Sequence, residues 1–321
     1  MGSKARRRVG IYVGLLVPFG SASCLGAELP AVQFVKSRGV LRILVGGKPM
    51  ATYCYADKQI TRPYFAQVHA PDGTQVTRNH PPRENDSKDH ALWHPGLWQA
   101  FGDLSGHDYW RLKAKIVCDG FVEQPKGTAG RGTFAVRNRY LTTDGSKTVC
   151  TETCRYTILV RPAGYLLMSD SVFASETGDF VFGDQEEMGF GVRLATPIAV
   201  NKRQGGRILD SQGRRNEGGI WGKQADWCDY SGTVGGHKVG ITIMSDPRNV
   251  RRCRWHARDY GFMASNPYAV NAFTRGPRSR IVVKRGQTHR LRHGVLLHGG
   301  FDDPPAALRK AYKDYLKLIA K

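Results

Sequence analysis

Residues 134–173 read FAVRNRYLTTDGSKTVCTETCRYTILVRPAGYLLMSDSVF, and this run decides the fold. Three apolar-rich stretches, 134–141, 148–161 and 165–173, are separated by Thr143-Asp144-Gly145-Ser146 and Arg161-Pro162-Ala163-Gly164. Aspartate accepts hydrogen bonds from its own following backbone, and glycine reaches positive φ, so both breaks reverse the chain. The stretch therefore predicts three consecutive antiparallel strands.

The same grammar extends outward in both directions. Residues 40–45 and 52–56 flank Gly46-Gly47-Lys48-Pro49, and 64–70 and 75–78 flank Pro71-Asp72-Gly73. Further strands are predicted at 189–195, 240–245, 279–284 and 293–298. No long helical period interrupts them, and the 38 glycines favour turns over helices. The spacing predicts an all-β fold, a sandwich or large barrel of antiparallel strands. One helix closes the chain. Asp302 or Asp303 can cap it and Pro304 suits its first turn. Ala307, Leu308, Ala311, Tyr312, Tyr315, Leu316 and Ile319 form an apolar stripe at helical spacing, which predicts packing across a sheet. No repeat, linker or low-complexity tract divides the chain, so a single domain is expected over 30–321.

The first residues read differently. Lys4, Arg6, Arg7 and Arg8 precede an apolar run at 9–19, and small residues follow from Gly20 to Ala27. This is the pattern of a secretory signal peptide, 1–27, cleaved after Ser23 or Ala27. Ser21-Ala22-Ser23-Cys24 also approaches a lipoprotein cleavage box, without the usual large apolar residue three before the cysteine. The run is too short to span a bilayer, and no longer one follows, so no integral membrane span is expected. Cleavage removes four positive charges and takes the formal net charge from +21 to +17. An exported protein of this charge favours an anionic partner. The bases are scattered rather than clustered, so nucleic acid is not expected. A carbohydrate, or another small molecule that carries negative charge, fits better. Six cysteines remain: Cys54, Cys118, Cys150, Cys154, Cys228 and Cys253. On a strand Cys150 and Cys154 would share a face about 13 Å apart, too far to bond to each other.

Three segments carry chemistry. The first, 89–110, is DHALWHPGLWQAFGDLSGHDYW, irregular in period and rich in tryptophan, and is read as a binding loop. His90 and His94 are four apart, which on a helix places both imidazoles on one face. One is a candidate for proton transfer. A metal is the alternative, with Glu186, Asp103 or His256 as third ligand, although Ala91 stands where the zinc motif HExxH needs glutamate. No cofactor is assigned. The second segment, 183–193, is GDQEEMGFGVR. On a strand Glu186 and Glu187 would face opposite sides, so at most one faces a pocket; the alternative is a solvated turn with one salt bridge to Arg193. The third runs from Trp221 to Tyr260. There His256 and Arg258 would share a strand face, and Arg258 could clamp a carboxylate. Trp98, Trp227 and Tyr230 are candidate sugar-stacking aromatics. Arg62, Asp103, Gln185 and Asp229 are candidate hydroxyl-binding groups. No GxSxG, P-loop or dinucleotide glycine motif is present, so serine hydrolases, phosphoryl transferases and dehydrogenases find no support.

Taken in order, TRPYFAQVHAPDGTQVTRNHPP, DHALWHPGLWQAFGDLSGHDYW, FGDQEEMGFGVR, ADWCDYSG and WHARDYGFMASNP resemble the exported PmoA-like family, over roughly residues 49–298. The label "methane oxygenase" is not an activity here, because such a membrane subunit needs several spans. The resemblance implies a β-sandwich similar to the galactose-mutarotase-like supersandwich, set in carbohydrate use. Such enzymes pair a histidine acid with a glutamate base. His90 or His94 and Glu186 or Glu187 would take those roles. The expectation is an exported carbohydrate-active protein working by acid–base chemistry, as an epimerase, lyase or glycoside-cleaving enzyme. A non-catalytic carbohydrate-binding or envelope protein and a metal-dependent oxygenase are the alternatives.

Overall fold

The computed structural model of this chain describes residues 1–2 and 28–320. The expected leader therefore lies, but for Met1 and Gly2, outside the described residues. Strands β1–β5 are Val32–Ser37, Val40–Val45, Lys48–Cys54, Tyr64–Ala66 and Leu97–Phe101. Strands β6–β9 are Ile116–Thr128, Arg131–Leu141, Thr148–Arg161 and Gly164–Ala174. Strands β10–β14 are Phe180–Phe182, Met188–Arg193, Arg207–Asp210, Trp227–Val234 and His237–Ser245. Strands β15–β18 are Arg254–Arg258, Phe262–Asn266, Ile281–Val283 and Thr288–Gly299. Helices α1 (Asn216–Ile220) and α2 (Asn271–Thr274) are single turns, and α3 (Pro304–Ile319) is the long one.

Two eight-stranded sheets face each other, with orders β1-β2-β3-β4-β5-β11-β16-β15 and β12-β13-β14-β18-β9-β8-β7-β6. Neighbouring strands run antiparallel, as in β7–β8–β9. The expected all-β sandwich with a C-terminal helix is what forms. In β8 the period of two is plain: Cys150, Glu152, Cys154, Tyr156 and Ile158 point inward. Cys154, Tyr156 and Ile158 meet Tyr53, Phe65, Phe190 and Trp255 of the other sheet in one core, and Cys150 joins a second with Phe101 and Phe173. Cys150 and Cys154 do share a face, and the six cysteines among the described residues are free. Gly164 shows why the β8–β9 turn needs glycine: its φ is +136°, and a Cβ there would sit 2.1 Å from the Leu297 carbonyl oxygen.

Helix α3 lies on the outer face of the second sheet. The Asp303 side chain accepts from the Ala306 N–H at 3.1 Å, a cap worth about 1 kcal/mol. Leu308, Ala311 and Tyr315 pack on Leu209, Trp227, Met244 and Leu296. Among the described residues no helix is long and apolar enough to cross a membrane.

Two expectations fail for identifiable reasons. Residues 75–78 form only isolated bridges, to His69 and Leu194, rather than a strand. The segment 89–110 is not all loop: Leu97–Phe101 is a strand inside the first sheet, buried along its whole length. A strand buried on both faces shows no polar alternation, so period counting missed it.

Candidate functional site

Among the described residues the outer face of the first sheet carries no long helix; loops and the single-turn helices α1 and α2 border it instead. The register fixes what lies beneath them. Trp98, Gly191, Ala264 and His256 form one row across β5, β11, β16 and β15. Arg193, Phe262 and Arg258 form the next. Small residues in mid-row leave room for loop side chains: a Cβ on Gly191 would lie 2.8 Å from the Trp110 ring. His94 fills the adjoining space, stacked on Phe262 at 4.6 Å and Trp98 at 5.0 Å between ring centroids. His90 stacks on His94 at 4.7 Å, and Tyr260 on His90 at 5.8 Å.

Two buried arginines hold the loops in place. Arg62 donates to the carbonyls of Trp93, Tyr109 and Trp110, so one guanidinium ties both ends of the 93–110 segment. Arg78 donates to the carbonyls of Ser87, Asp89, His90 and His94. Burial draws Arg62 down to about 9 and Arg78 to about 10, so both stay cationic at neutral pH.

Two polar centres sit on this base. In the first, Asp89 Oδ2 is 3.0 Å from His90 Nδ1, while Asp89 Oδ1 accepts from Arg193 at 2.8 Å. The carboxylate thus orients an imidazole whose side chain is more than a third exposed. In the second, Glu186 Oε2 lies 3.1 Å from Arg258 Nη2 and 3.3 Å from His256 Nε2. Arg258 also pairs with Glu217 at 2.7 Å, and Glu187 pairs with Arg111 at 2.7 Å. Burial, then the positive charges of Arg258, Arg111 and His90, pulls His256 down to about 3. The His256–Glu186 contact is therefore no ion pair. Neutral His256 accepts the Arg258 Nε–H at 3.1 Å through Nε2, which assigns its proton to Nδ1. Burial first, reinforced by Glu187 and opposed by Arg258, raises the Glu186 carboxyl above its ordinary value. Because His90 influences both His94 and His256, the two centres share one field.

The structure brings together His90, His94, Glu186, Glu187, His256 and Arg258. His256 and Arg258 share a strand face as their spacing requires. Glu186 and Glu187 do not divide between faces, because they lie on the bend before β11 and both reach the site. Neither pairs with Arg193, which Asp89 takes. Gln185 stands at the edge, accepting from Arg111 at 3.2 Å.

Several expected binding residues are elsewhere or enclosed. Arg62 is a buried loop clamp and offers nothing to a substrate. Trp98, 1% exposed, lies beneath His94 and Trp110 and is no free stacking face. Trp227, Asp229 and Tyr230 all lie on β13 of the opposite sheet. Trp227 packs under α3. Asp229 is buried against His298 at 2.8 Å and Thr242 at 2.8 Å. The Tyr230 hydroxyl donates to the Asp259 carbonyl at 3.0 Å. Within the polar segment expected over 221–260, residues 227–231 are a buried stretch of strand whose Asp229 and Ser231 find partners inside. Asp103 lies beyond Gln185, in a neighbouring groove. His90 and His94 do not make a metal pair. Their ring planes are within 17° of parallel, so their lone pairs run side by side rather than toward one point. Among the described residues no group of three His, Cys, Asp or Glu is placed to hold a metal.

Arg111, Glu217 and the Asp89–His90 pairing were not foreseen as functional. The adjacency Asp89-His90 was the legible sign of the last. Arg111 comes from a turn and Glu217 from α1, far apart in sequence, and nothing local marks them.

A model for a family of unknown function, DUF6807, matches residues 40–312. The chain belongs to that family. The match does not show the PmoA label of the resemblance. No curated protein matches this DUF6807 chain. Among solved structures it resembles the galactosidase domain of an alpha-galactosidase–sucrose kinase, at 7% identity and TM-score 0.44, covering 84% of this chain and 42% of that one. It resembles a GalM/aldose epimerase homologue from C. elegans at 9% identity and TM-score 0.35, covering 84% and 100%. A mutant heparan sulfate lyase from Pedobacter heparinus gives 10% identity and TM-score 0.39, covering 85% and 37%. The DUF6807 chain thus spans less than half of the galactosidase and lyase chains. Likenesses this loose leave its fold to be read from the strand order and register above.

Proposed function

We propose that this face is the active site of a carbohydrate-processing enzyme that moves protons between two opposed groups. Glu186 is the base. It takes a proton from a substrate hydroxyl or C–H. His90 is the acid. Its imidazolium, held by Asp89, returns a proton to the ring oxygen or leaving oxygen. Arg258 and Arg111 hold the two glutamates in position. Trp93, 37% exposed and pinned through its carbonyl by Arg62, offers a flat apolar face beside His90, with ring centroids 5.7 Å apart. Epimerisation, lyase cleavage and glycoside cleavage all use such an exchange.

The observation that carries this reading is the convergence of an oriented, exposed imidazole and a carboxyl of raised pKa on one sheet face. The test is turnover of a panel of aldoses and oligosaccharides, followed by NMR in deuterated water. His90→Ala and Glu186→Gln should each abolish the reaction while the fold survives. Equal rates in wild type and both variants would refute the reading. One observation favours a second, non-catalytic reading: Glu186 and Glu187 are already paired with arginines, as in a preformed hydroxyl-binding site. Binding that survives in Glu186→Gln, with no turnover in wild type, would select it.

Export belongs to the same proposal, supported by the basic and apolar pattern of residues 1–27. N-terminal sequencing of the secreted protein, expected to begin near residue 24 or 28, tests it.

A further inference from the structure

Beside the acid–base face lies a groove of about 740 Å³, lined by Asp103, Gly183, Asp184, Gln185, Arg278 and Arg280 among others. Its size falls within the ~300–1,000 Å³ of small-molecule clefts. Gln185 joins it to the site: the side chain lines the groove, and its Oε1 accepts from Arg111, which holds Glu187. The floor is kept low by Gly183, where a Cβ would fall 1.9 Å from Asp103 Oδ2.

The charges of this groove are unequally engaged. Asp184 accepts the backbone N–H groups of Val270, Asn271, Ala272 and Ser279, so its oxygens are turned into the protein. Asp103 Oδ1 accepts the Gly106 N–H at 3.0 Å. Arg278 and Arg280 flank buried Ser279, are exposed, and among the described residues have no carboxylate within ion-pair distance. Some surface arginines are matched, as in Arg139–Asp119, Arg252–Asp226 and Arg290–Asp170, and others, such as Arg38, Arg131 and Arg203, are not; Arg278 and Arg280 stand apart because both line one groove. Two unmatched guanidiniums lining a groove that adjoins the site at Gln185 offer donors to a planar or tetrahedral anion.

We propose that this groove is a second subsite that binds an anionic sugar unit, so that the substrate is an acidic oligosaccharide chain rather than a free neutral sugar. This rests on the acid–base reading above. The groove takes the neighbouring unit of the chain, its carboxylate or sulfate on Arg278 and Arg280 and its hydroxyls on Asp103 and Gln185, while the reacting unit lies between His90 and Glu186.

The experiment is calorimetric binding to the full chain, using Glu186→Gln protein to suppress turnover. The probes are an oligouronate, a sulfated oligosaccharide and a neutral oligosaccharide of equal length. An Arg278→Ala/Arg280→Ala variant is measured beside it, with its melting temperature as a folding control. Tighter binding of one or both acidic probes, weakened about ten-fold or more by the double variant and by raised salt, with neutral binding unchanged, is expected. The uronate and sulfate arms identify which anion is read. Acidic and neutral probes binding alike, or acidic binding untouched by the double variant, would overturn the inference. Turnover of neutral sugars by wild type would, in that case, leave the acid–base reading standing. Absence of turnover and of binding for every probe removes both.

Discussion

Gln99 Nε2 donates to Glu152 Oε1 across 2.7 Å, from β5 of one sheet to β8 of the other. Gln99 is the residue next to Trp98, so this bond fastens the floor of the site to the opposite sheet. Asn138 at 2.9 Å and Tyr140 at 3.2 Å complete the cage around the same carboxyl. Burial raises the Glu152 pKa above its ordinary value, and the surrounding donors only partly offset it.

This cage sets a pH dependence of stability. A carboxyl whose folded pKa is raised contributes its stability below the unfolded value, near 4.5, and loses it as pH rises through the folded value. Glu152→Gln removes that loss. Gln99 Oε1 and Asn138 Oδ1 lack partners, so either amide can turn to accept from the new one. The melting-temperature difference between Glu152→Gln and wild type should move in the variant's favour as pH rises from 4.5. Glu152→Ala, which strands three donors, should cost about 3 kcal/mol in denaturant titrations.

Glu186 must be ionised to act as a base. Its raised pKa places the acid limb of kcat/KM above pH 4.5, with activity lost as pH falls through it. Arg258 is the strongest influence holding that pKa down. Arg258→Ala should therefore shift the limb to higher pH as well as lower the rate. A limb that stays in place would remove Glu186 from the base role.

His90 and His94 are neighbours with opposite functions. His90→Ala should lower kcat about 10²- to 10⁴-fold with little change in stability, because the ring is exposed. His94 is 4% exposed and stacked on Phe262 and Trp98, and burial followed by the charges of His90 and Arg193 holds it neutral. His94→Ala should instead open a cavity and cost about 2–4 kcal/mol. Paired denaturation and kinetic measurements separate the two.

Arg62→Ala should destabilise the protein by about 3 kcal/mol and raise KM, since it frees both ends of the 93–110 segment. Arg62→Lys should not rescue either effect, because an ammonium cannot reach three carbonyls held by a planar fork.

Trp93→Ala should raise KM about three- to ten-fold and leave kcat and melting temperature nearly unchanged, as expected for a stacking face outside the core. A loss of kcat without a change in KM would assign Trp93 to the chemistry instead.

The sequence by itself determined the architecture and the vocabulary of the site. Turn residues and the period of two marked β7, β8 and β9 within a residue or a few, because half-buried strands must alternate. The Asp303 cap and the Leu308–Ala311–Tyr315 stripe marked α3, because a surface helix must present one apolar side. The motifs around His90, Glu186 and His256 marked where polar chemistry gathers. Only the tertiary structure decided which of those groups meet. Leu97–Phe101 and β13 are buried on both faces, so they show no period. Trp98, Asp229 and Tyr230, read as pocket residues, proved to be enclosed. Arg111 and Glu217 join the site from a turn and from α1, distant in sequence. The partner of a charge is chosen by the register of strands such as β11, β15 and β16, and no local pattern records it.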